Sequence, residues 1–103
     1  MKRIMNGLLY DSEVAECLWK KETSEEDDDH FIHTGEHRYT YTPITSLHRT
    51  SKGTCFVCDW VRDNMQIVGD WDAVNWLYTH MWDESERQKI IRKHFSHIQP
   101  NPG

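Results

Sequence analysis

An uninterrupted run of five acidic residues, Glu25–Asp29, limits the folds that the chain can adopt. Adjacent carboxylates repel one another and have no apolar surface to bury, so this run cannot pack into a core. We therefore expect a solvated acidic loop over about residues 23–30. This loop divides the chain into a short first part and a longer second part.

The first part begins with a hairpin signature. Asn6-Gly7 lies between two short apolar segments, and this dipeptide suits a type I′ turn because both central residues need a positive φ. Asp11 or Ser12 can then cap a helix. The apolar residues that follow at helical spacing are Val14, Ala15 and Leu18. This spacing predicts a helix over about residues 12–22.

Strand patterns dominate the beginning of the second part. Aromatic and polar residues alternate over residues 38–42, and Pro43 then indicates an edge position or a bulge. The compact turn Ser51–Gly53 separates two further stretches. These stretches, residues 44–50 and 54–61, are predicted to form a β-hairpin.

The rest of the chain predicts one more strand, over residues 65–68, and then two helices. Asp70 or Asp72 can cap the first helix, and Asp83 opens the second with a capping box. The last residues, 99–103, contain two prolines and predict a disordered tail.

These elements fit one α+β domain over residues 1–98, with a small antiparallel sheet of three to five strands packed by two to three helices. The chain has 103 residues, which is a common size for a single domain. Its hydrophobic share of 37% is low, but the 12% of aromatic residues compensate because each aromatic side chain buries a large surface. No segment approaches the ~18 apolar residues of a membrane span, so we expect a soluble, cytoplasmic protein with no membrane partner.

Charge is distributed unevenly along the chain, whose net charge is -5. Residues 11–36 hold ten acidic residues against two lysines, which gives -8, whereas residues 84–97 give +2. The acidic balance argues against direct nucleic-acid binding. Rows of carboxylates can instead imitate the phosphates of a nucleic acid and occupy the basic groove of a partner protein. A solvated loop without a partner is the alternative.

A metal site is the second possibility. Cys55 and Cys58 have the two-residue gap of zinc ligands, and His33 and His37 supply further candidate ligands. In a strand, however, residues three apart point to opposite faces, which opposes a shared metal ion. We therefore expect no cofactor, with a zinc-binding or regulatory module built on these four residues as the alternative.

Catalytic motifs are absent from the sequence. There is no nucleophile elbow and no phosphate-binding loop, and the acidic run is too flexible to hold a substrate. We expect a protein that is not an enzyme. Trp71 and Trp82 are candidate anchors for a partner, because tryptophan is enriched at binding hot spots.

Three segments carry a resemblance to a known group of proteins. Lys2–Glu16, Ser46–Phe56 and Ile67–Leu77 resemble segments of small phage and prophage proteins from Firmicutes, which begin with a hairpin, a Tyr-Asp-Thr step and an alanine-bearing helix. Some phage proteins of this size antagonise host defence, including anti-CRISPR inhibitors, so the resemblance implies a role of that class. The acidic run and the basic final helix lie outside the shared features, and a particular activity would reside there.

Together these observations predict a non-enzymatic, phage-encoded inhibitor that binds a host defence protein, such as a CRISPR effector nuclease. It would block a nucleic-acid-binding or assembly surface with its acidic loop and exposed aromatic side chains. The candidate partner-binding residues are Glu25, Glu26, Asp27, Asp28, Asp29, Trp71 and Trp82. Nothing in the sequence specifies an oligomeric state.

Overall fold

A computed structural model describes residues 1–26 and 39–98, so the predicted tail lies outside the described residues. The elements in chain order are β1 (Lys2–Met5), β2 (Leu8–Asp11), β3 (Glu16–Glu26), β4 (Tyr39–Arg49), β5 (Cys55–Asp59), β6 (Asn64–Val68), α1 (Asp70–His80) and α2 (Glu84–His94). β1 and β2 form one antiparallel sheet, and β3 to β6 form a second antiparallel sheet in sequence order. The α+β prediction is confirmed.

The hairpin predicted at the start of the chain is confirmed. Asn6 has φ 53° and Gly7 has φ 77°, which are the positive values that a type I′ turn requires. The turn pairs Met5 with Leu8 and sets the register of the two strands. Because this turn depends on the backbone preferences of two adjacent residues, it could be predicted from the sequence.

The helix predicted over residues 12–22 is wrong. Residues 12–15 form a turn, and the chain then enters β3, which pairs with β4 along its length. Of the apolar residues at helical spacing, Leu18 is buried but Val14 is 83% exposed, so they do not share one apolar face. Pairing with a distant strand outweighs a weak local helical pattern. β3 also extends to Glu26, so residues 23–26 of the expected loop are strand, and 27–30 lie outside the described residues.

The strands predicted in the second part are confirmed, together with the position of Pro43. β5 pairs only with Thr45–Arg49 of β4, so Pro43 lies beyond the end of β5 and has a partner on one side only. The register of β3 shifts between Lys21 and Glu22, opposite this proline. Proline lacks a backbone donor, and an edge position next to a bulge tolerates that loss.

The two helices confirm one predicted cap and correct the other. Gly69 is the N-cap of α1, and Asp70 and Asp72 lie in its first turn instead of capping it. Their carboxylates there still interact favourably with the helix dipole. Asp83 caps α2 as predicted, since its side chain accepts a hydrogen bond from the backbone N–H of Glu86 at 3.1 Å.

The core lies on both faces of the four-stranded sheet. The helix-face cluster packs under α1 and α2 and consists of Leu18, Leu47, Cys55, Ala73, Val74, Leu77, Met81, Ile91 and Phe95. The hairpin-face cluster packs under β1 and β2 and consists of Tyr10, Phe56, Cys58 and Met65. Within residues 1–26 and 39–98, neither helix has the length and apolar character needed to cross a membrane.

Candidate functional site

The acidic run begins on a two-stranded extension of the sheet. Glu22–Glu26 pairs with Tyr39–Pro43, and no third strand pairs with either segment among the described residues. We call this pair of segments the β-arm. Five residues per strand at ~3.4 Å each give it a length of about 17 Å. Glu25 and Glu26 lie on the β-arm opposite Thr40 and Tyr39, whereas Asp27, Asp28 and Asp29 lie outside the described residues.

Helix α1 runs alongside β3 toward the β-arm. The Trp76 ring packs edge-on against the Trp19 ring of β3, with centroids 5.6 Å apart. One helical turn later, burial and then the nearby positive charge of Lys21 lower the pKa of His80. From Trp76 to His80, α1 therefore follows β3 from Trp19 to Lys21. The C-terminal end of α1 lies at the end of the sheet from which the β-arm extends.

Trp82 lies just beyond this end of α1 and is 95% exposed. Tryptophan is on average a highly buried residue and is enriched at binding hot spots, so an indole left almost entirely in water is a candidate anchor for a partner. Tyr41 on the β-arm is also exposed, at 61%. Sequence reasoning missed Tyr41 because its alternating pattern predicted a half-buried strand; an aromatic residue on a strand beside an acidic run was the available signal.

Trp71 does not join this group. It is 58% exposed, but it lies in the first turn of α1, where Asp70 contacts His97 at 2.8 Å. Nine residues at 1.5 Å each separate it from His80 at the end of α1, roughly 13 Å along the helix axis, and Trp82 lies beyond that end. The two predicted tryptophan anchors therefore lie at opposite ends of α1.

The two strand cysteines lie on opposite faces of the sheet. Cys55 belongs to the helix-face cluster and Cys58 to the hairpin-face cluster, as the three-residue spacing on a strand predicts. Burial raises the pKa of the Cys55 thiol to about 11 and also raises that of Cys58. His33 and His37 lie outside the described residues, and no three metal-ligating side chains of the described part converge on one point.

A buried Ser–His pair lies under the N-terminal hairpin. Ser46 Oγ is 2.7 Å from His48 Nε2 and accepts a hydrogen bond from Trp60 Nε1 at 3.0 Å. His48 stacks on Phe56, and its Nδ1 atom has no hydrogen-bond partner among the described residues. Burial, and then the positive amino group of Met1, lower the pKa of His48 to about 4.

This pair has the spacing of a nucleophile and its base, but Ser46 is 3% exposed and His48 is 4% exposed. A substrate therefore has no access to the hydroxyl in this conformation. The Ser46–His48 hydrogen bond lies within β4, and the hydrogen bond from Trp60 ties β4 to the residue that follows β5. Sequence reasoning missed it, although two polar residues at i and i+2 on a predicted strand share one face.

The best-supported candidate site is the end of the molecule that carries the β-arm. It combines the backbone positions of Glu25 and Glu26 with the exposed side chains of Tyr41 and Trp82. Acidic residues for steering and aromatic residues for anchoring are the two components of many protein-binding surfaces. The chain matches no family model, and no curated protein or solved structure shows significant similarity to it.

Proposed function

We propose that the protein is a non-enzymatic inhibitor that uses its β-arm to occupy a basic, nucleic-acid-binding surface of a host defence protein. The observation that carries this proposal is the extension of β3 and β4 beyond the rest of the sheet, with the acidic run starting on that extension. A narrow two-stranded ribbon can enter a groove that the body of the domain cannot.

The density of acidic residues supports mimicry of a nucleic acid. Duplex DNA carries one negative charge per ~1.7 Å of its helix axis, and a protein that binds it neutralises those charges with lysine and arginine. Glu25 and Glu26 are consecutive on β3, and three further acidic residues follow them in the sequence. A protein surface built to neutralise phosphates is therefore complementary in charge to this segment.

The exposed aromatic residues supply the apolar component of the interaction. Charge complementarity mainly accelerates association and selects the partner, whereas buried aromatic side chains contribute most of the binding free energy. Trp82 and Tyr41 lie at the same end of the molecule as the acidic segment, and each can bury roughly 150–250 Å². Trp71 lies at the other end of α1, so it is not part of this surface.

The class of partner follows from combining this surface with the resemblance to phage proteins. A phage protein that antagonises host defence by charge mimicry needs a host target with an accessible nucleic-acid groove. RNA-guided nuclease complexes have such a groove, which holds the guide–target duplex through its backbone. We therefore propose a CRISPR effector nuclease as the partner.

The test measures binding of the full chain to a panel of purified effector–guide complexes by fluorescence anisotropy. A variant with all five acids neutralised (E25Q, E26Q, D27N, D28N and D29N) removes the charge of the acidic run. Since individual exposed charge pairs contribute about 0.2–1 kcal/mol, we expect the loss of five charges to weaken binding by at least about 5-fold. Target DNA should compete with the wild-type protein, and added salt should weaken its binding.

A control variant separates this effect from a general loss of negative charge. The control, E13Q, E16Q and D72N, neutralises exposed carboxylates away from the β-arm. It is compared with D27N, D28N and D29N, which change the net charge equally. We expect the control to bind like the wild type. Equal binding by both triple variants would contradict the proposed electrostatic mechanism.

A further inference from the structure

A groove lies at the opposite end of β4 from the β-arm. Its volume is about 320 Å³, and it separates β2 and the following turn from the turn between β4 and β5. Its lining includes Leu8, Leu9, Val14 and Ala15 on one side and Thr50 and Lys52 on the other. No residue of β1 lines the groove, so it lies on the side of β2 that faces away from β1.

The backbone edge of β2 is free along this groove. β2 has β1 as its single strand neighbour among the described residues. The Met5–Leu8 pair closes a two-residue turn, and Ser12 N–H donates to Met1 C=O at 3.0 Å. Hydrogen-bonded and non-hydrogen-bonded pairs alternate in an antiparallel ladder, so the N–H and C=O of Leu9 point away from β1. They point toward the groove.

The side chains give the groove an apolar wall and one available positive charge. Leu9 is 64% exposed and Val14 is 83% exposed, although both are large apolar residues. Asp11 is already engaged, because it lies 3.8 Å from Lys2 and accepts a hydrogen bond from the N–H of Glu13. Lys52 makes no ion pair with any residue of the described part.

We propose that this groove binds an extended segment of a partner protein, which adds to β2 as a third strand and places a carboxylate at Lys52. The backbone of the segment would pair with the N–H and C=O of Leu9, and its apolar side chains would cover Leu9 and Val14. A small hydrophobic acid would leave the Leu9 backbone groups unpaired, which favours a peptide. This second interaction surface goes beyond the proposed function of the β-arm and does not depend on it.

The first experiment uses a panel of acetylated hexapeptides in which threonine alternates with valine, isoleucine, leucine or phenylalanine. Each peptide is made with a free carboxylate and as the C-terminal amide. In ¹⁵N-resolved NMR titrations, we expect the free acids to shift the Leu9 amide resonance and to slow its hydrogen exchange. The amides should bind about 2–5-fold more weakly, the effect of one exposed ion pair. Absence of binding by every peptide would overturn the proposal.

Two proline variants provide a matched comparison. Leu9→Pro removes the N–H that faces the groove, and Ile4→Pro removes the equivalent N–H at its cross-strand partner, on the other edge of the hairpin. We expect Leu9→Pro to lose peptide binding and Ile4→Pro to retain it. Equal binding by the two variants would overturn strand addition.

Further measurements keep the test decisive if either proline variant fails to fold. Lys52→Gln should bind the free acids and the amides equally, and a preserved preference for the free acids would place the carboxylate elsewhere and overturn the proposal. Light scattering of the wild-type chain addresses a second copy as the occupant. A wild-type chain that is dimeric without peptide and becomes monomeric when peptide is added would show self-association at β2, which also overturns the proposal.

Discussion

The two faces of the four-stranded sheet are covered in different ways. On one face, two helices of eleven residues each cover a cluster of nine buried residues, all of them apolar. On the other face, two strands of four residues cover four buried residues that lie beside the polar Ser46 and His48. The sheet is therefore shared by a larger apolar core and a smaller core that contains polar groups.

The two faces should therefore respond differently to solution pH. The nine buried residues of the helix-face cluster contribute stability that does not change on acidification, although His80 and His94, whose pKa values burial lowers, lie on the helices that cover it. The hairpin face contains a buried imidazole, and a two-stranded sheet is at best marginally stable alone. We therefore expect the hairpin face to be the part of the domain that opens most readily.

The largest expected effect compares one truncation on each face. Leu77→Ala empties a site that is 0% exposed in the helix-face cluster and should lower the free energy of unfolding by about 3–5 kcal/mol. Met65→Ala in the hairpin-face cluster should cost about 2–3 kcal/mol, because Met65 is 7% exposed and its smaller cluster can relax. Urea denaturation measures both. Equal losses of unfolding free energy would contradict this expectation, because they would show that the two cores are packed equally well.

Acidification should destabilise the hairpin face through His48. The folded chain lowers the pKa of His48 from 6.5 to about 4, chiefly by burial. The stability that the neutral, buried His48 imidazole contributes is fully present above pH 6.5 and is lost as the pH falls toward 4. It is lost because the unfolded chain then binds a proton that the folded chain excludes. The loss should reach about 3 kcal/mol, measured by urea denaturation across this range.

A His48→Phe variant is the control for this pH dependence. Phenylalanine keeps an aromatic ring beside Phe56 and does not titrate, and Ser46 still accepts the hydrogen bond of Trp60. The variant should lose less stability than the wild type on acidification, by about the amount assigned to His48. Identical pH profiles would assign the acid sensitivity to other groups, such as His80 and His94, whose pKa values burial also lowers.

The smallest effect concerns an ion pair that ties the hairpin to the turn between β5 and β6. Arg3 lies 2.6 Å from Asp63, but the Asp63 side chain is 80% exposed, so the coupling should be about 0.2–1 kcal/mol. Asp63 has φ 52°, a conformation that asparagine also adopts, so Asp63→Asn removes the charge without backbone strain. A double-mutant cycle with Arg3→Gln measures the coupling, and salt should reduce it. A coupling above this range would mean that the hairpin is held by charge as well as by packing.

The parts of the fold that follow from local chemistry could be predicted from the sequence. The Asn6-Gly7 turn, the Asp83 cap and the opposite orientation of Cys55 and Cys58 each depend on a few neighbouring residues. Helix α1 was also predictable, although its cap was not, because Gly69 occupies the position expected for an aspartate.

The parts that depend on distant pairing could not be predicted. Val14, Ala15 and Leu18 have a helical spacing, but the first two lie in a turn and Leu18 lies on β3, which pairs with the distant β4. For the same reason, the sequence predicted acidic residues in a loop where Glu25 and Glu26 lie on the β-arm. Exposure of Trp82 depends on how α1 packs against the sheet, so the separation of the two tryptophan anchors required the structure.

The placement of the cysteines provides the chain with natural reporters of its internal motion. Cys17 is exposed and should react with a thiol reagent immediately, whereas Cys55 and Cys58 are buried on opposite sides of β5. A buried thiol is alkylated only while its surroundings are open. The alkylation rate of Cys55 therefore records the opening of the helices, and that of Cys58 records the lifting of the hairpin, in one unlabelled molecule.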